Sequence, residues 1–247
     1  DAAPLTERPA SAAEGTSYEV SLAWTALTPG TTADAILELD QATDWDSFRA
    51  AAAHFETTAQ NLVYADREGH IGYQAPGLVP IRKTGNDGRT PSAGWRPEND
   101  WTGEHVPFDG LPNVLDPEEG FVVTANQAVV DPDGYPYFLT DDWSYGARSQ
   151  RIVDLVKLAT SDGQKMTADR MREIQFDAWN ENAAFLVPKI KALNVEGVDG
   201  VTLLNDWDFT QPADSAPAAY FNVFWKNLLT DVFMDELPED EVIGGGD

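Results

Sequence analysis

The sequence predicts an α+β protein, in which a β-rich first part is followed by a helical second part. Two alternating, β-prone runs flank residues 66–70, where Gly69 can take the positive φ of a tight turn, and together they predict a hairpin. From about Tyr145 the apolar residues instead recur every three or four positions, which is typical of amphipathic helices. A run of strands followed by a run of helices indicates the α+β class.

The first part also contains elements outside the hairpin. Residues 1–16 are rich in Ala, Pro, Thr and Glu without an apolar period, and they predict a flexible lead-in. Residues 18–27 alternate and predict a strand, and the apolar residues 120–125 predict a short buried strand. Asp44 is expected to cap a helix that begins at Trp45.

A long segment, residues 83–119, is dense in Gly, Pro, Asn and Asp. We expect it to be irregular and to wrap over a core, because its aromatic side chains, Trp95 and Trp101 among them, can bury area without regular structure.

The second part is predicted to be helical throughout. An apolar stripe begins at Ile152, Thr167 is expected to cap a further helix, and helical patterns follow at about 182–193, 199–207 and 214–235. The predicted organisation is therefore a flexible lead-in at residues 1–16, a sheet body at 17–150 and a helical subdomain at 151–247.

The composition of the sequence excludes several classes of partner and of site. Forty-two acidic residues face sixteen basic ones, which gives a formal net charge of −26 and repels nucleic acids. No apolar run approaches the roughly 18–20 residues that a membrane span needs. The sequence has no cysteine, which excludes disulfides, thiolate zinc sites and cysteine nucleophiles.

The familiar catalytic motifs are missing from the sequence. There is no H-x-x-x-H or H-E-x-x-H spacing, and no G-x-S-x-G elbow. We therefore expect structural or surface roles for the three histidines, His54, His70 and His105. Helix-capping roles are the ordinary ones for serines near helix starts, namely Ser144, Ser149 and Ser215.

Two residues around the end of the predicted 120–125 strand are candidates for chemistry. Asn126 follows that strand directly, where its amide can donate into a cleft as an oxyanion hole requires, although satisfying loop backbone is the commoner use of such an Asn. Arg148 falls among Trp143, Tyr145 and Ile152, which suggests partial burial and a need for hydrogen-bond acceptors. From the residues alone, structural and functional roles for Arg148 stay open.

Three segments carry a resemblance to a known family. They are QNLVYADREGHIGYQAPGLVPIR, HVPFDGLPNVLDPEEGFVVTANQ and YPYFLTDDWSYGARSQRI, in that order. In content and order they resemble the β-chain of the penicillin acylases, and the resemblance covers residues 18–235. It implies part of the αββα sandwich of the N-terminal-nucleophile (Ntn) hydrolases, followed by a helical subdomain. It also implies hydrolysis of N-acyl side-chain amides, as in acylated β-lactams or acyl homoserine lactones.

The resemblance also implies roles for particular residues. Asn126 matches the family's oxyanion-hole Asn and Arg148 its active-site Arg, whereas Gln127 stands where the family often has a second Asn. No cofactor is expected for catalysis. The family often binds a structural calcium, to which Asp141 or Asp142 is expected to contribute. An extracellular or periplasmic location is likewise implied.

The family nucleophile is a Ser at the start of the β-chain. The first residue here is Asp1, which cannot act as that nucleophile. We therefore expect this chain to be an interior piece that is inactive alone, with missing segments of the same precursor as partners. Unpaired strand edges would favour association between copies. One alternative is a non-catalytic module whose aromatic-lined loops, with Trp95 and Trp101, bind an acyl chain or sugar. A weaker one is a halophilic interaction domain.

Overall fold

A computed structural model of the chain describes residues 19–140, 142–193 and 198–236, so the predicted lead-in of residues 1–16 lies outside them. The described residues fall into two compact units. The first runs to Thr124 and includes the segment from Val129 to residue 140, and the second comprises Ala125–Ala128 and the residues from Asp142 onward.

In its described residues, the first unit contains two α-helices and five short strands. They are α1 (Thr32–Leu39), α2 (Trp45–Ala52), β1 (Leu62–Ala65), β2 (Ile71–Gln74), β3 (Pro80–Arg82), β4 (Trp101–His105) and β5 (Asn113–Leu115). Strands β1, β2 and β5 form an antiparallel sheet in that order, and β3 pairs antiparallel with β4 in a second sheet.

The predicted hairpin is confirmed as β1 and β2. Asp66 closes its turn, since Oδ1 accepts hydrogen bonds from the backbone N–H groups of Gly69 and His70, both at 2.9 Å. Gly69 has φ 98°, in the left-handed region that a glycine adopts without steric cost. The turn chemistry therefore sets the register of this hairpin, in which Tyr64 faces Gly72.

Helix α2 packs on the hairpin, and its predicted cap is present. Asp44 Oδ1 accepts from the backbone N–H of Ser47 at 2.8 Å, while Ser47 Oγ accepts from the N–H of Asp44 at 3.1 Å. The Trp45 ring lies against Gly72, where an added β-carbon would be 2.5 Å from Cζ3 of the indole. The rings of Trp45 and Tyr64 meet edge to face, with centroids 5.4 Å apart. Only a glycine at position 72 of β2 leaves room for the Trp45 ring.

Two predicted strands are wrong. Residues 19–24 form no regular element and lead into a 3₁₀ turn at Thr25–Leu27, and residues 121–124 form no strand either. A strand is stable only when a neighbouring strand pairs with its backbone groups, and none of the strands in the described residues pairs with these segments. Val20 in the first segment is 67% exposed, whereas residues 121–124 are partly buried.

The expectation of an irregular segment at residues 83–119 is also wrong in part. It contains β4 and β5, because each finds a partner strand distant in sequence. Trp101 lies partly buried at the start of β4, whereas Trp95 is 45% exposed, so the aromatic residues do not share one buried role.

The second unit is helical in its described residues. Its α-helices are α3 (Ala147–Ala159), α4 (Ala168–Gln175), α5 (Glu181–Ala192) and α6 (Ala216–Phe233). Thr167 caps α4 as predicted, because its side chain accepts from the N–H of Arg170. The pattern at 199–207 corresponds to a 3₁₀ helix at Asp199–Leu204 rather than an α-helix.

Phe221 is at the centre of the helical core. It is 1% exposed and packs with buried residues of α5, α6, the 3₁₀ segment and the loop after it, namely Ala183, Val187, Leu204, Trp207 and Ala218. None of the helices in the described part of the chain is both long and apolar enough to cross a membrane. The predicted α+β class with a helical C-terminal part is confirmed.

Candidate active site

Asn126 lies in a tight turn of the second unit. Its φ is 69°, a left-handed conformation that Asn tolerates better than most residues because its short polar side chain can hydrogen-bond locally. The backbone carbonyl of Asn126 accepts from the N–H of Ser144 at 2.8 Å. Gln127 closes the turn, since its Oε1 accepts from the N–H of Ala125 at 2.7 Å. These bonds hold the Asn126 backbone at a defined place and leave its side chain exposed.

Arg148 lies in the first turn of α3. Gly146 precedes the helix with φ 93°, and the buried Ser149 donates from Oγ to the Gly146 carbonyl at 2.9 Å, which secures the helix start. From this position Arg148 donates from Nη2 to Oδ1 of Asn126 at 2.9 Å. The structure thus brings together the two side chains that the sequence analysis singled out.

This hydrogen bond determines which way the Asn126 amide points. A guanidinium has donors only, so the amide must present its oxygen to Arg148 and turn Nδ2 elsewhere. Among the described residues no acceptor engages Nδ2 of Asn126. The start of α3 adds the positive end of a helix dipole, and no acidic residue stands in its first turn. The arrangement turns an N–H donor of Asn126 away from Arg148, near the start of α3.

The expected partial burial of Arg148 is wrong, because the residue is exposed. Tyr145, which was expected to help cover it, is itself 103% exposed and leaves the guanidinium open. Arg148 therefore acts on Asn126 from a solvated position, and its hydrogen bond is correspondingly weaker than a buried one.

A cavity of about 490 Å³ opens beside Arg148, between α3, α4 and α5. Its polar wall is an ion pair that the sequence analysis missed, in which Arg151 donates to Asp177 from Nε at 2.8 Å and from Nη2 at 2.7 Å. The hydrogen bonds from Arg151 lower the pKa of Asp177 below its ordinary value. The Arg151 guanidinium also lies over the Trp179 ring, 4.4 Å from the centroid. The only sign of this wall in the sequence was that Arg148 and Arg151 lie three positions apart on one helix, and therefore on one face of it.

Two of the three histidines lie beside carboxylates. His54 Nδ1 lies 2.6 Å from Oε2 of Glu38, and His70 Nδ1 lies 2.6 Å from Oδ2 of Asp116. Ser215 caps α6 by accepting from the N–H of Ala218 at 3.3 Å. None of these contacts resembles a nucleophile with its base.

The calcium expectation stays a prediction. Asp141 lies outside the described residues, and Asp142 is exposed. No group of three or more His, Cys, Asp or Glu side chains in residues 19–140, 142–193 and 198–236 is placed to hold a metal ion.

Comparison with known proteins gives consistent matches. A search of curated proteins finds acyl-homoserine lactone acylase QuiP of Pseudomonas fluorescens, 29% identical over 92% of this chain and 29% of that protein. It also finds the penicillin acylase 2 proenzyme of a Pseudomonas species, 32% identical over 68% of this chain and 21% of that protein. The chain thus spans less than a third of the length of these relatives.

Among solved structures, thermostable penicillin G acylase from Alcaligenes faecalis matches with a TM-score of 0.67 and 25% identity. The match covers 85% of this chain and 39% of that one. This likeness confirms the expected partial Ntn-hydrolase fold. The family model described as penicillin amidase matches residues 3–244, nearly the whole sequence. The chain therefore belongs to the penicillin amidase family.

Proposed function

We propose that this chain is part of a hydrolase that cleaves the amide bond of N-acyl compounds, with Asn126 as an oxyanion donor and Arg148 as its positioning residue. The observation that carries the proposal is the 2.9 Å hydrogen bond from Arg148 Nη2 to Asn126 Oδ1. An oxyanion hole needs donors that are already oriented before charge develops, since reorienting them during the reaction costs free energy.

In the proposed reaction the nucleophile is an N-terminal Ser outside these residues. Its oxygen attacks the amide carbon while its proton passes to the α-amine of the same Ser, and the carbonyl oxygen becomes an oxyanion. Asn126 donates from Nδ2 to that oxygen. The C–N bond then breaks, the amine leaves with the proton, and water hydrolyses the acyl ester to a carboxylic acid.

The substrate class follows from the relatives by analogy. Their names specify acyl-homoserine lactones and penicillins, both of which contain an N-acyl amide. We propose an N-acyl amide of this general kind as substrate. An extracellular or periplasmic location and a structural calcium belong to the same proposal and await their own tests.

The test uses the mature protein that contains this chain together with its nucleophile. Hydrolysis of an N-acyl-4-nitroanilide is measured for the wild type, for Asn126→Ala and for Asn222→Ala. Asn222 is a matched control on α6, where its Nδ2 donates to Gln211 Oε1. We expect wild-type turnover, a loss of about 10²–10³ in kcat for Asn126→Ala with little change in KM, and no change for the control.

Two outcomes would contradict the proposal. An Asn126→Ala variant as active as the wild type would remove Asn126 from the oxyanion hole. A wild type that binds N-acyl compounds without any turnover would favour the non-catalytic binding module instead.

A further inference from the structure

The first unit contains a cavity of about 420 Å³ that no part of the proposed reaction uses. It lies between β3, the loop that follows β3, and residues 136–138. The side chains that matter for its chemistry are Arg82, Asn86, Asp87, Arg89, Tyr137 and Phe138.

Arg82 is the unusual member of this set. It is partly buried, yet its guanidinium has no hydrogen-bond or ion-pair partner among the described residues. Other partly covered arginines do have one, as Arg151 has in Asp177. Its N–H donors reach the cavity side of the residue without an acceptor from the described protein, so an anionic ligand could supply one.

The loop beside Arg82 is fixed by hydrogen bonds of Asn86 and has a glycine where the guanidinium lies. Asn86 donates from Nδ2 to the Asn99 carbonyl and accepts through Oδ1 from the N–H of Gly88, both at 2.8 Å. Gly88 has φ 80°, and a β-carbon built on it would lie 2.5 Å from Nε of Arg82. A glycine here lets the guanidinium lie close against the loop backbone.

The other walls provide a second cation and aromatic surface. The Arg89 guanidinium lies over the Phe138 ring, 5.1 Å from its centroid. Asp87 is the one carboxylate that lines the cavity in the described residues, and its Oδ2 lies 3.9 Å from Nε of Arg89. In the described residues, two guanidinium groups and one carboxylate therefore line this cavity.

We propose that this cavity binds a small organic carboxylate that carries an aromatic ring. A guanidinium fork and a carboxylate match in geometry and charge, and the pairing is stronger than a neutral hydrogen bond. The ring lies against Tyr137 and Phe138, and the volume falls in the range of small-molecule sites. This inference rests on the first unit alone and does not depend on the proposed hydrolysis.

The test compares benzoate with benzamide, its neutral isostere, by isothermal titration calorimetry on the purified 247-residue chain. Benzoate is expected to bind at least about tenfold more tightly, because only the carboxylate gains charge-assisted hydrogen bonds. The Arg82→Gln variant should weaken benzoate by about tenfold or more. The Arg96→Gln variant is the matched control, since Arg96 is exposed, lies outside the cavity and faces Glu98 at 3.6 Å.

Circular dichroism checks that each variant is folded. If the Arg82→Gln variant is not folded, the comparison of benzoate with benzamide on the wild type still tests the proposal. No benzoate binding by the wild type, equal affinity for the two probes, or equal losses in the two variants would each overturn the proposal.

Discussion

The coupling between Arg148 and Asn126 predicts a specific pattern of catalytic losses. Replacing Arg148 by Met removes the donor at 2.9 Å from Asn126 Oδ1 while keeping a similar side-chain length. Hydrogen bonds to charged groups contribute about 1.5–3 kcal/mol, and the exposure of Arg148 favours the lower end. About 1.5 kcal/mol of lost orientation corresponds to roughly a tenfold fall in kcat.

A double-mutant cycle separates positioning from an independent role. If Arg148 acts through Asn126, then Arg148→Met should change kcat by less than about twofold once Asn126→Ala is present. The assay is the release of 4-nitroaniline by the mature protein, with Arg172→Met as control because Arg172 is exposed on α4 and pairs with Asp169. Additive losses, with the double variant about tenfold below Asn126→Ala, would refute the reasoning.

Three further predictions concern stability. Phe221→Ala should lower the free energy of unfolding by about 3–5 kcal/mol in urea titrations, against less than about 0.5 for the exposed Phe185→Ala, and equal effects would contradict the assigned core. Asn180→Ala should lower the free energy of unfolding by about 1 kcal/mol, because it removes the cap of α5. An unchanged midpoint of the urea titration would show that the cap contributes nothing. The hydrogen bond to Asp116 raises the pKa of His70 above 6.5, and the same contact lowers the pKa of Asp116 below 3.8. The stabilisation from His70 is therefore complete below pH 6.5 and is lost as the pH rises through the raised pKa, while that from Asp116 is lost as the pH falls through the lowered pKa. The difference in Tm between wild type and His70→Gln should shrink above pH 6.5, and a difference independent of pH would count against the pair.

Local signals in the sequence predicted the elements that depend on local chemistry. The turn closed by Asp66 and Gly69, the capping box at Asp44 and the cap at Thr167 each involve side chains within four residues of the groups they satisfy. Helix α1 had no such signal, because Thr31 before it makes no side-chain cap hydrogen bond, and it was missed.

Elements that depend on distant partners were not predictable in this way. Residues 19–24 and 121–124 have β-type patterns, but a strand also requires a neighbour, and the described residues provide none. Strands β4 and β5 show the reverse case, since their pairing partners lie far away in sequence.

The candidate site divides along the same line. The type of residue at Asn126 suggested an amide donor, but its contact with Arg148 spans twenty-two positions, and only the family resemblance placed both residues in one site. The left-handed backbone conformation of Asn126 was not predictable from the sequence, because Asn is as common in loops with ordinary backbone conformations. The unpartnered Arg82 was equally hidden, since a missing partner is a property of three-dimensional structure.

The central claim is that Arg148 holds the Asn126 amide ready to donate to an oxyanion. A crystal structure of the mature protein with a tetrahedral transition-state analogue tests it most directly. We predict that Nδ2 of Asn126 lies about 2.7–3.1 Å from the analogue oxygen, with Arg148 Nη2 still on Oδ1. An analogue oxygen bound by other donors, with the Asn126 side chain turned away from it, would contradict the claim.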